Sequence, residues 1–154
     1  MPLTSHRLAP KREYPSLPVA RVETLIHKGD TVLLLKLARE PNVGKWGLPG
    51  DVVGLGETAE DAARRGAKDH VGLDVNLEGM LDILDDIHHD GKGKVRFHNI
   101  LVGYLASPRR GKVVISTEAT EYKWFKAAEV RSVYATDITK LIVQKYLNRP
   151  PSRG

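Results

Sequence analysis

The apolar positions of this 154-residue chain fall into two kinds of pattern. "VARVETLIH" and "TVLLLKLA" are β-branched and leucine-rich runs joined by "KGD", which predicts an antiparallel hairpin. "MLDILDDIHHD" and "KVRFHNILVGYLAS" flank "GKG" and predict a second, longer hairpin, while "GKVVISTEATEYKWF" reads as a further strand and loop. Two stretches carry helical spacing instead. The first follows the loop "REPNVGKWGLPG": Thr58 is placed to cap it, with Asp61 at capping-box spacing, and it ends near Val71 with Gly72 as its C-terminal glycine. The second, "TDITKLIVQKYL", puts Ile138, Leu141, Ile142 and Tyr146 on one face. Strands on both sides of one helix, with another helix at the end, predict the α/β class and a mixed sheet sandwiched between helices.

Composition narrows the setting. No apolar run approaches the roughly 18 residues a bilayer span needs, so no membrane segment is expected. The first residues carry prolines where a secretory signal needs a continuous apolar stretch, and with no cysteine there is neither a disulfide framework nor a thiolate zinc site. A cytoplasmic protein is the expectation. Residues 1–21 hold four Arg or Lys against one Glu, and residues 140–154 hold four against no acid. The ends therefore carry +7 of a formal net +5, and the body between them is close to −2. Six of the nine prolines also lie in these ends, so three segments are predicted: a basic, Pro-rich extension over 1–17, a folded domain over 18–147 and a basic tail over 148–154. Such ends are suited to lie along a phosphate backbone and gain affinity by releasing counterions. That points to RNA or a ribonucleoprotein as partner, with Arg7, Lys11, Arg12, Lys145, Arg149 and Arg153 as contacts. The basic turn "PRRGK" adds Arg109, Arg110 and Lys112; a solvated fringe is the plainer reading of all of them.

The stretch "GLPGDVVGLGETAEDAARRGAKDHVGL" carries the sharpest chemical signal. Positions 66, 69 and 70 share one helix face, with Glu57 at the mouth of the same helix. It resembles the box of the Nudix (MutT-like) superfamily, G-x5-E-x7-R-E-U-x-E-E-x-G-U, introduced here by Trp46, Leu48, Pro49 and Gly50. The looser likeness runs from Pro18 to Leu147 and is to the ADP-ribose pyrophosphatase type. It implies a Nudix α/β/α sandwich with a mixed β-sheet. Registered residue by residue, Glu57, Arg65, Gly72 and Leu73 stand where the pattern expects them. Asp51 replaces the first glycine, Gly66 the glutamate after the arginine, and Asp69 and His70 the Glu-Glu pair.

In the family those three glutamates carry most of the metal coordination, so the resemblance leaves the activity open. One reading is a fold whose hydrolase centre has been given up for binding RNA or a ribonucleoprotein, a ribosomal one included. Another is a magnesium- or manganese-dependent pyrophosphohydrolase of nucleoside diphosphate-linked substrates such as ADP-ribose. A third is a sensor that binds such a nucleotide without cutting it. If the chain is active, the resemblance implies Glu57, Arg65 and Glu118 as catalytic and Asp69, His70 and Gly50 as metal positions, with Mg or Mn as cofactor. Trp46 and Tyr14 are candidates to stack on a base, whereas core packing is the better reading of Trp124. His88 and His89 among Asp85, Asp86 and Asp90 are a weaker metal candidate, since neighbours on a strand point to opposite faces. Nudix relatives are often dimers, so homodimerisation is a further expectation of the resemblance.

Overall fold

A computed structural model describes residues 11–150. Its strands are β1 (Val19–Lys28), β2 (Thr31–Leu37), β3 (Trp46–Gly47), β4 (Gly50–Val52), β5 (Asp74–His89), β6 (Val95–Arg110) and β7 (Ala119–Lys126). Helix α1 (Ala59–Val71) lies between β4 and β5, and a 3-10 turn (Ala127–Ser132) leads to α2 (Asp137–Asn148). β1 is the hinge of the sheet: it runs parallel to β6 and antiparallel to β2 and β4. β5 and β6 form the long antiparallel hairpin, and β2 pairs with β3 and β7.

The unbroken apolar run of β2 follows from burial on both faces. Val32 and Leu34 pack with Ile138, Ile142 and Tyr146 of α2, while Leu33 and Leu35 pack with Ala67 and Val71 of α1. Leu25 and Ile26 of β1 divide in the same way. The layers are therefore helix, mixed sheet, helix. α1 buries Ala62, Ala63, Gly66 and Ala67, small side chains that let its backbone approach the sheet and the loop before it. Thr58 caps it by accepting from the Asp61 N–H at 3.0 Å, but the Asp61 carboxylate pairs with Arg64 instead of closing the box back onto Thr58. Gly72 ends it in the left-handed region at φ 74°, where a Cβ would lie 2.8 Å from the Lys112 carbonyl oxygen.

Three expectations needed adjustment. β5 starts just past Gly72 and Leu73 at the end of α1 and is longer than its alternation indicates, because register shifts near Leu77/Gly79 and Met80/Asp82 interrupt the pattern. Residues 111–118 are loop, and the strand begins only at Ala119. On α2 the buried set includes Thr139 and Val143 and leaves Leu141 52% exposed, because the stripe is centred on Ile138, Ile142 and Tyr146, an i, i+4, i+8 row.

Candidate functional site

α1 projects Arg65 toward the loop that precedes it. The guanidinium grips Glu57 bidentately along one edge, Nε to Oε2 at 2.8 Å and Nη2 to Oε1 at 3.0 Å. Nη1 donates to Asp51 Oδ2 at 2.9 Å and Nη2 to the Val52 carbonyl at 2.8 Å. Asp69, one turn along, approaches Nη1 more loosely at 3.6 Å. One cation thus holds three carboxylates. The hydrogen bonds to Glu57 lead in pushing the guanidinium pKa up, and the bond from Arg65 likewise leads in holding Glu57 below its ordinary value. Burial alone would raise the Asp51 carboxyl; hydrogen bonds from His70 and the Val52 N–H, and the charge of Arg65, outweigh it and keep Asp51 well below the carboxylate range.

His70 completes the network. Asp51 only accepts, so the ring donates from Nε2 to Asp51 Oδ2 at 2.8 Å and meets the Ser116 hydroxyl through Nδ1 at 2.8 Å. The loop carrying Ser116 is also tied to the end of α1 by backbone bonds, Val114 N–H to Val71 and Ser116 N–H to His70. A Cβ on Gly66 would lie 3.3 Å from the Asp51 Cβ. The two departures from the box pattern are therefore one spatial event: the side chain missing at 66 leaves the room that Asp51 occupies.

Beside this network lies an open cleft. Its walls include Arg21 and Glu23 of β1, Arg39 after β2, Gly50, His70 and Glu118, and Arg12 reaches it from the N-terminal segment. Glu118 pairs with Arg39 at 2.6 Å, and Asp86 accepts from His88 and Asn99. Glu23 has no hydrogen-bond partner among the described residues. Burial, with Asp86 adding and Arg21 opposing, pushes its carboxyl up to about 7. Folding therefore favours protonated Glu23, so its contribution to stability is fully present below about 4.5, the ordinary value, and is lost as pH rises to about 7. Glu23→Gln is expected to match the parent at pH 4.5 and to exceed it at pH 8 by ~2–3 kcal/mol, at ~1.4 kcal/mol per unit. Denaturant melts at both pH values test this, and equal differences at both would refute it.

Other predicted residues lie elsewhere. Trp46 packs edge-on against Phe125 at 5.0 Å and joins the α2-side core, because a large ring in an apolar setting gains more from burial than from solvent. Tyr14 donates its hydroxyl to Asp90 at 2.8 Å at the tip of the β5–β6 hairpin, away from the cleft walls. Trp124 packs on the α1-side core. His88 pairs with Asp86, residues two apart on one strand face, and no group of three or more His, Asp or Glu among the described residues is placed to hold a metal ion. Of the basic candidates, Arg12 lies in the cleft, Arg110 pairs with Asp74, Lys145 approaches Asp82 at 3.9 Å, and Arg149 folds onto the Tyr146 ring. Arg109 and Lys112 are exposed and Lys11 carries no ion pair among the described residues; Arg7 and Arg153 lie outside them. Arg21, Glu23, Arg39 and Ser116 went unassigned in the sequence. The available signal was Arg21 and Glu23, two charges at strand spacing within a core strand.

The NUDIX domain profile matches residues 17–144. The chain belongs to the Nudix family. An ADP-ribose pyrophosphatase of Methanocaldococcus jannaschii is 29% identical over 108 residues, 70% of this chain and 62% of that relative's length. A MutT NUDIX hydrolase from Burkholderia pseudomallei superposes with a TM-score of 0.68 at 25% identity, covering 84% of this chain and 98% of that one. The NUDIX domain of Shewanella oneidensis NrtR, solved with ADP ribose, has a TM-score of 0.69 at 19% identity over 87% and 89%. Among the described residues of this Nudix protein, no helix is long and apolar enough to cross a membrane.

Nudix hydrolases generally use magnesium or manganese. Such ions need several oxygen ligands free to converge. Here Asp51 and Glu57 give their oxygens to Arg65, His70 and backbone N–H groups, position 66 has no side chain, and Asp69 is 56% exposed. As arranged, these box side chains do not converge on a magnesium ion.

Proposed function

We propose that this Nudix protein binds a nucleoside diphosphate joined to a second group, of the ADP-ribose kind, in the cleft beside α1, and that its box acts as a structural clasp. The carrying observation is the Arg65 network, in which the box carboxylates are neutralised internally while Arg21 and Glu23 face the open cleft. Likeness to the M. jannaschii ADP-ribose pyrophosphatase supports the ligand class. Calorimetry with ADP-ribose tests the binding: micromolar or tighter association is expected. In Mg or Mn, turnover of ADP-ribose, dinucleoside polyphosphates and nucleoside triphosphates is expected to be no faster than in a Glu57→Gln control. Clear turnover lost in that control returns the chain to a metal-dependent pyrophosphohydrolase.

An RNA or ribonucleoprotein partner is the second reading. It draws on the charge of the ends and on Arg109 and Lys112, both exposed and without an acidic partner among the described residues. Arg110 and Arg149 are engaged within the protein and Arg12 lies on the cleft wall, which favours the cleft over the ends. A chain cut to residues 19–147 tests the RNA reading, since it should lose most RNA affinity and show a shallower salt slope. Equal binding by both chains refutes it.

A further inference from the structure

We propose that Arg12 and Arg21 form a phosphate seat in the cleft that holds a diphosphate without a divalent metal, an inference that rests on the nucleotide reading above. A diphosphate leaving water needs compensating positive charge, and the box does not offer a fitting metal site. Guanidinium is the chemical alternative, being always charged and forked to match phosphate oxygens. Three arginines reach this cleft from three separate segments. Arg39 is committed to Glu118. Arg12 donates only to the Glu40 carbonyl, at 3.3 Å, and lies over the Phe97 ring. Arg21 has no hydrogen-bond or ion-pair partner among the described residues.

These charges press on one another. Burial first, then the charges of Arg21 and Arg39, lower the Arg12 pKa. A bound anion relieves that repulsion. Gly50 leaves the space: a Cβ there would stand 2.7 Å from the Val22 carbonyl and 3.4 Å from an Arg21 nitrogen.

The carboxylates facing the seat differ in state. Glu118 is neutralised by Arg39, Asp86 is held by His88 and Asn99, and Glu40 is exposed at the rim. His70, the other titratable group on the wall, is occupied by Asp51 and Ser116. Glu23, the remaining carboxyl on the wall, has no hydrogen-bond partner among the described residues.

Titration of the full chain with inorganic pyrophosphate in EDTA, and again in magnesium, tests the seat. Saturable binding is expected in EDTA, with no requirement for magnesium. Arg21→Ala and Arg12→Ala, each checked for an intact thermal melt, should weaken it at least about tenfold, or ~1.4 kcal/mol, and Lys126→Ala, at an exposed position away from the cleft walls, should leave it unchanged. Binding that appears only with magnesium, no saturation in either buffer, or full affinity in Arg21→Ala overturns the proposal. Pyrophosphate binding of the expected kind with no ADP-ribose binding keeps the seat and removes the nucleotide reading.

Discussion

Asp51→Gly, Gly66→Glu and His70→Glu combined are expected to create manganese binding and to raise metal-dependent hydrolysis of ADP-ribose at least about a hundredfold, whereas Gly66→Glu alone does neither. The reason is steric and electrostatic. A side chain at 66 starts 3.3 Å from the Asp51 Cβ, and Asp51 is pinned by Arg65, His70 and the Val52 N–H. A glutamate added there crowds Asp51 and brings another negative charge to an Arg65 already shared by three carboxylates. Removing Asp51 frees the space, and removing His70 leaves two new carboxylates on the helix face that carries Asp69. A hundredfold gain requires only ~2.7 kcal/mol of barrier lowering, within the several kcal/mol that metal ions supply. Manganese calorimetry and a mass-based product assay test it; equal activity in the single and triple variants would show that Asp51 is not the obstacle.

Arg65→Ala should cost ~2–4 kcal/mol of stability at pH 7, a range reduced for a side chain that is more than a third exposed. It leaves Asp51, Glu57 and Asp69 without their common cation and the Val52 carbonyl without its donor. The pH dependence has a definite sign. Asp51 and Glu57 are held below their ordinary values, so the stability they confer is present above about 4.5 and lost as pH falls below it. The gap between parent and Arg65→Ala is therefore expected to be widest at neutral pH and to shrink toward pH 3. Urea melts at pH 7 and 3.5 test this, and a gap independent of pH would assign the loss to packing.

Much of the architecture was legible because it is written locally. Helix α1 was readable from Thr58 at one end and Gly72 at the other, and the two hairpins from β-rich apolar runs around short polar turns. These signals act over a few residues, through caps, left-handed glycine and strand period. Leu141 shows the limit. Its spacing suits the buried stripe, yet the position of α2 on the sheet puts Val143 inward and leaves Leu141 out.

The site divides along the same line. The sequence alone placed Glu57, Arg65, Asp69 and His70 on and before one helix, because positions within a box have fixed helical geometry, and it placed Glu118 near a strand end. It did not reveal that Asp51 fills the room left by Gly66, that Ser116 meets His70 across 46 residues, or that Arg12 joins Arg21 in one cleft. The first two contacts are made across a loop and a helix, and the third by an N-terminal segment that packs along the β5–β6 hairpin through Glu13–Arg96 and Tyr14–Asp90. Only the assembled sheet sets those distances. Whether a carboxylate is free for a ligand or occupied by an arginine depends on them, since a hydrogen bond needs its heavy atoms within about 3 Å and an ion pair weakens with distance.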